Sequence, residues 1–86
     1  MSDSNKFRAF IVDDEPAVRR FLRTSLAARG YEVEEAASGA EALEGVARFR
    51  PDIILLDVGL PDLSGIEVTR ILREWCHTPI VVLSVL

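Results

Sequence analysis

Three short apolar runs, "RAFIV" at 8–12, "IILLD" at 53–57 and "IVVLS" at 80–84, punctuate this chain, and the segments between them keep a helical period. Runs this brief, rich in Ile, Val and Leu, suit strands covered on both faces rather than helices. After the first run, Val18, Phe21, Leu22, Ser25 and Leu26 recur at helical spacing, which predicts one helix face turned toward a core. Pro16 fits the first turn of that helix and Gly30 its end. "YEVEEA" at 31–36 alternates apolar and acidic residues, the pattern of a sheet edge. Ser38 to Glu41 and Ser64 to Glu67 have the spacing of capping boxes. They open two further helices, with Leu43, Val46 and Ala47 on one stripe and Val68, Ile71, Leu72 and Trp75 on the other. The order β-α-β-α-β-α-β implies an α/β fold with a parallel sheet, right-handed crossovers and helices on both faces.

Composition narrows what such a fold can do. The 86 residues form one domain, and an apolar share of 49% with 28% charged residues is that of a globular protein. A single cysteine, Cys76, excludes an internal disulfide and fits a reducing compartment. No apolar run approaches the ~20 residues that span a bilayer, and the polar start has no signal-peptide core. The expected setting is therefore the cytoplasm, with no membrane partner. A net charge of −4 argues against binding nucleic acid through phosphates. Cys76 and His77 have no second pair for a zinc site. Arg19, Arg20 and Arg23 read as a solvated helix face.

The acids at the strand ends carry the chemistry. Asp13 and Asp14 close the first run and Asp57 closes the third. In parallel α/β sheets ligands bind beyond the carboxyl ends of the strands, where the strand order reverses. With strand one between strands two and three, neighbours ~4.8 Å apart would bring the three carboxylates into one pocket. Like charges that close call for a cation between them, and an all-oxygen set of this kind suits Mg²⁺. Alone, Asp13 and Asp14 before Pro16 could equally be acids placed for the helix dipole. Gly59 and Gly65 fit turn and helix-start roles, with the Gly59 carbonyl a further ligand candidate.

"FIVDDEP", "IILLDVGLPDLSG" and "TPIVVLS" together resemble the receiver domain of two-component response regulators. "GLPD", "LREW" and "TPIVVLS" look most like the Kdp potassium-responsive group within the winged-helix class. The resemblance implies a flavodoxin-like doubly wound sheet of order 2-1-3-4, spanning a receiver at 1–86. It implies Asp57 as the phosphoacceptor for a sensor histidine kinase, in a switch rather than a turnover enzyme. Asp14 and Asp57 would hold Mg²⁺ directly, Asp13 through water and Gly59 through its carbonyl. Ser84 would turn its hydroxyl to the phosphoryl group, and the intact protein would control transcription.

Two departures accompany the likeness. Receivers of this type have five strands and five helices, and here the pattern stops after the fourth strand, before the lysine that ends strand five. Val85 stands where receivers usually keep a small residue. These departures keep open a dimerisation or interaction module derived from a receiver. An aspartyl phosphatase fits less well, because Gly59 stands where its second aspartate belongs. Strand four reads as buried on both faces and both edges. Its outer edge, left unpaired, implies a homodimer through that edge.

Overall fold

The computed structural model describes residues 6–83. Its strands are β1 (Arg8–Val12), β2 (Glu32–Ala36), β3 (Ile53–Asp57) and β4 (Ile80–Leu83), and its helices α1 (Pro16–Ala28), α2 (Gly39–Phe49) and α3 (Gly65–Leu72). All pairings are parallel and the order is β2-β1-β3-β4, as the resemblance implied. β1 therefore lies inside the sheet and β2 at one edge. The serine half of each capping box forms: Ser38 Oγ accepts from Glu41 N at 3.2 Å and Ser64 Oγ from Glu67 N at 3.1 Å. The Glu41 carboxylate accepts from Ala37 N rather than Ser38 N.

The two faces of the sheet are covered unequally. Phe10 and Val12 of β1 and Ile54 and Leu56 of β3 join Val46, Phe49, Val68 and Leu72 in one buried cluster under α2 and α3. The rings of Phe10 and Phe49 lie 6.2 Å apart, and the Arg8 guanidinium sits 5.3 Å from the Phe49 ring. Each fully buried side chain of this size contributes roughly 1.5–3 kcal/mol, so this layer carries most of the stability. α1 covers the other face. There the sequence expectation holds in part: Val18, Leu22, Ser25 and Leu26 are half-buried, but no residue of α1 is fully buried and Phe21 is 68% exposed. Among the described residues α1 is the only helix on its face, so its apolar stripe is covered on one side only. The third helix ends at Leu72, one turn before Trp75, which is half exposed and lies off the expected stripe.

Polar contacts make up part of what α1 lacks in burial. Arg19 and Arg23, expected to be solvated, instead converge on Glu35 of β2, with Arg19 Nε 2.9 Å from its carboxylate. Arg19 also donates through Nη1 to the Asp13 carbonyl at 2.8 Å. On the opposite face of β2, Glu34 meets Arg48 of α2 at 3.0 Å. The alternating glutamates of this edge strand thus fasten helices on both sides of the sheet.

Expectations for β4 hold in part. Ile80 and Leu83 are half covered, whereas Val81 and Val82 are exposed and the outer edge has no partner among the described residues.

The hydrogen bond from Arg23, reinforced by Arg19, holds the Glu35 carboxyl below the ordinary glutamate range. A carboxylate with a lowered folded-state value stabilises the fold above its unfolded value, and loses that contribution as pH falls through the lowered value. We therefore expect Glu35→Gln to be less stable at neutral pH and to show a shallower acid limb. Thermal unfolding followed by circular dichroism from neutral pH into the acid range checks this. Parallel profiles for the two proteins would show that Glu35 does not anchor α1.

Candidate functional site

The register of the central strands decides where the acids meet. Val12 lies opposite Leu56, so the next residues, Asp13 and Asp57, leave the sheet side by side at its carboxyl end. Asp14 follows in the turn before α1. One carboxylate oxygen from each of Asp13, Asp14 and Asp57 lies within 4.8 Å of the others. The three differ in setting: Asp13 is buried, Asp57 half-buried and Asp14 exposed.

Local hydrogen bonds orient two of the three. Asp13 Oδ1 accepts from Glu15 N at 2.9 Å, which bends the chain out of β1 into α1. The Asp13 backbone is held on both sides, its N–H donating to the Ala36 carbonyl at 3.1 Å and its carbonyl accepting from Arg19. Asp57 Oδ1 accepts from Gly59 N at 3.3 Å, which keeps the following loop folded over the strand end. Each of these aspartates keeps a second oxygen outside these bonds. The donor set is oxygen only and anionic, with one exposed member through which a hydrated ion can enter. Its chemistry fits a hard divalent cation such as Mg²⁺ and does not fit zinc, which favours His and Cys.

The acids form one end of a cleft of ≈ 670 Å³, whose wall is Val18, Phe21 and Leu22 of α1 and Leu83 of β4. The exposed stripe of α1 therefore borders the carboxylates. A second hollow of ≈ 420 Å³, lined by Arg50, Pro51, Trp75 and His77 among others, lies at the amino ends of β3 and β4 and holds no carboxylate.

Of the residues singled out in the sequence, Asp13, Asp14 and Asp57 come together, and Gly59 is exposed in the loop just beyond Asp57. Ser84 lies outside the described residues. Asp62, passed over in the sequence as part of a loop motif, has a structural task. Its carboxylate accepts from Gly39 N and Ala40 N at the start of α2, at 2.8 and 3.0 Å. The Gly39 N–H above all holds the Asp62 carboxyl below its ordinary range. No local signal marks this bond, because its donors lie over 20 residues away; a carboxylate left over beside the Ser64 cap was the one hint.

Residues 9–86 match the family described as the response regulator receiver domain. The transcriptional regulatory protein KdpE of Mycobacterium tuberculosis (strain ATCC 25618 / H37Rv) is 50% identical over 74 residues, which cover 86% of this chain and 33% of that protein. Response regulator MprA of Mycobacterium leprae (strain TN) is 57% identical over 67 residues, 78% of this chain and 29% of that protein. The chain thus spans about a third of the length of these curated relatives. Among solved structures, the BeF3-activated N-terminal receiver domain of Klebsiella pneumoniae RstA superposes with a TM-score of 0.87 at 34% identity, covering 92% of this chain and 68% of that one. The sheet order, the acids at its carboxyl end and a family match across nearly the whole chain agree, and the chain belongs to the receiver domains of two-component response regulators.

Proposed function

We propose that residues 1–86 act as one phosphoacceptor unit, in which Asp57 takes a phosphoryl group from a sensor histidine kinase. The observation that carries this reading is the convergence of Asp13, Asp14 and Asp57 at adjoining strand ends. Asp57 is assigned as the nucleophile by the family likeness, and its half-buried carboxylate lines the open cleft together with Asp13 and Asp14. One of its oxygens forms the new O–P bond while the donor's bond to phosphorus breaks and the leaving group departs in line. Asp14 and Asp57 would hold Mg²⁺ directly, Asp13 through water and Gly59 through its carbonyl. Bound there, the ion would neutralise charge developing on the phosphoryl oxygens. Asp13, fixed by Glu15 N and Arg19, keeps the acidic pair oriented without a conformational search. Ser84 is assigned its hydroxyl role by family likeness alone.

The kinase has to present its phosphohistidine at the cleft, where Val18, Phe21 and Leu22 offer an apolar wall beside the acids. Control of transcription in a longer protein follows the naming of KdpE as a transcriptional regulatory protein.

A second reading, a non-phosphorylatable dimerisation module, draws on β4. Its outer edge is unpaired among the described residues, and Val81 and Val82 are exposed beside it. Such an edge is a template for pairing, and two-fold association of two copies would satisfy its N–H and C=O groups. Dimerisation through β4 is compatible with either reading, and the chemistry at Asp57 separates the two.

Magnesium titration followed by amide shifts should localise the change to residues 13–15 and 57–59 and lose it in Asp57→Asn. Shifts spread evenly over the acidic surface would defeat the metal assignment. Acetyl phosphate, in which the acyl P–O bond breaks and acetate leaves, tests the transfer. Intact-mass measurement should show slow, substoichiometric gain of one phosphoryl group, abolished by Asp57→Asn. The expected slowness has a stated cause, since the only lysine of the 86 residues, Lys6, precedes the amino end of β1, opposite the acids. Loss of one such cationic contact at a charge-developing centre costs about 10²-fold or more in rate. Rapid, complete phosphorylation would show that no lysine is needed. Sedimentation at micromolar concentration should give a dimer that Val82→Lys dissociates; a folded monomer of the unaltered chain would rule out the edge contact.

A further inference from the structure

We infer that Asp62 is a positioning residue, clamping the loop of residues 58–64 onto the start of α2 and so holding the Gly59 backbone beside the acid cluster. The inference rests on the reading of that cluster as a cation site, and it adds a residue that touches neither the cation nor the phosphoryl group.

The loop is pinned at two places. At its inner end, Gly65 N donates to the Val58 carbonyl at 2.9 Å, closing the loop on itself. Only glycine permits that closure: a Cβ at Gly65 would lie 2.8 Å from both the Asp57 carbonyl oxygen and the Val58 Cα. At its outer end, Asp62 Oδ1 accepts from Gly39 N at 2.8 Å and from Leu63 N at 2.9 Å, while Oδ2 accepts from Ala40 N at 3.0 Å. The helix and the loop touch closely here as well, since a Cβ at Gly39 would come within 2.9 Å of the Leu63 Cβ. Between the two pins, the only hydrogen bond among the described residues is that from Gly59 N to Asp57. Gly59 is thus steadied on one side by Asp57 itself and on the other by Leu60, packed against the core, and by whatever holds Asp62.

What holds Asp62 is strong for a surface contact. Bonds from backbone N–H groups to a carboxylate are charge-assisted, and the N-terminus of α2 adds its dipole to them. The lowered proton affinity of the Asp62 carboxyl agrees with that geometry. With the clamp removed, the loop would keep the Gly59–Asp57 bond and the packing of Leu60 and Leu63 against the core. Its outer end would lose its polar anchor, and the Gly59 carbonyl would sample positions away from the cluster more often. Outer partners that orient ligating groups typically govern about 10–100-fold in metal affinity.

Ser38 supplies the control. Its Oγ caps the same end of α2 through Glu41 N and has no hydrogen bond to the loop. Asp62→Ala, Asp62→Asn and Ser38→Ala in the 86-residue chain would be titrated with Mg²⁺ by amide shifts, with amide exchange measured in the metal-free state. We expect Asp62→Ala to weaken Mg²⁺ about tenfold, by the size of outer-partner effects. Asp62→Asn, which keeps one accepting oxygen, should fall between it and the parent. Ser38→Ala should leave affinity unchanged, and only the Asp62 variants should speed exchange at Leu63 and Gly65. Equal weakening by Ser38→Ala and Asp62→Ala would overturn the inference, since Asp62 would then act only through the stability of α2. Unchanged affinity in Asp62→Ala would overturn it too. If the parent chain binds no Mg²⁺, the cation reading fails by itself. Exchange then decides the clamp: selective loosening of the loop in Asp62→Ala upholds it, and unchanged exchange removes it.

Discussion

The parallel pairing of β1 with β3 is the interaction on which the rest of the structure depends. Val12 opposite Leu56 puts Asp13 and Asp57 at one height, and a slip of a single residue would send one of them to the other face of the sheet. Keeping the two carboxylates together has a cost. At an effective dielectric near 20, two unit charges about 5 Å apart repel by roughly 3 kcal/mol. Against this stand Phe10, Val12, Ile54 and Leu56, almost wholly buried on the same two strands, at roughly 1.5–3 kcal/mol each. Burial of these side chains fixes the register of the two strand ends against that repulsion. A cation bound between the acids would relieve that repulsion.

This balance explains why the fold was legible in the residues. The strand positions are apolar because they must outweigh the acids they end in, and a continuous apolar run with a terminal carboxylate is visible without any partner. The helix caps Ser38 and Ser64 were equally readable, because a capping box lies within four residues. Failures came where an answer depended on something distant. The stripe on α1 is apolar in the sequence, yet periodicity states which face is apolar and not how fully it is covered, and Phe21 is mostly exposed. Trp75 continues the spacing of the third helix, but the helix ends before it. Arg19 and Arg23 looked solvated because Glu35, their partner, belongs to another element.

The site was legible to the same depth. Three acids at strand ends are a local signal that becomes a cluster once strand order is known. Asp62 is different, because its carboxylate serves a helix that begins 23 residues earlier, and no window around either end contains both. Long-range capping of this kind belongs to the tertiary structure and emerges only when the loop and the helix are seen together.

The two layers around the sheet differ in how they are held, and this bears on how the site communicates. α2 and α3 share a buried cluster with the sheet, so a small displacement there meets close-packed side chains. α1 is half-buried along Val18, Leu22 and Leu26, and Arg19 and Arg23 add ion pairs to Glu35 that can rearrange at lower cost than close packing. Arg19 reaches both the Asp13 carbonyl and Glu35, so any shift of the β1 end is passed directly to α1. On the packed side the same shift reaches α2 through Phe10 and Val12 in the buried cluster, and the Asp62 carboxylate adds a polar contact from the loop to the start of that helix. A shift of the β1 end therefore reaches α1 through ion pairs and α2 through close packing.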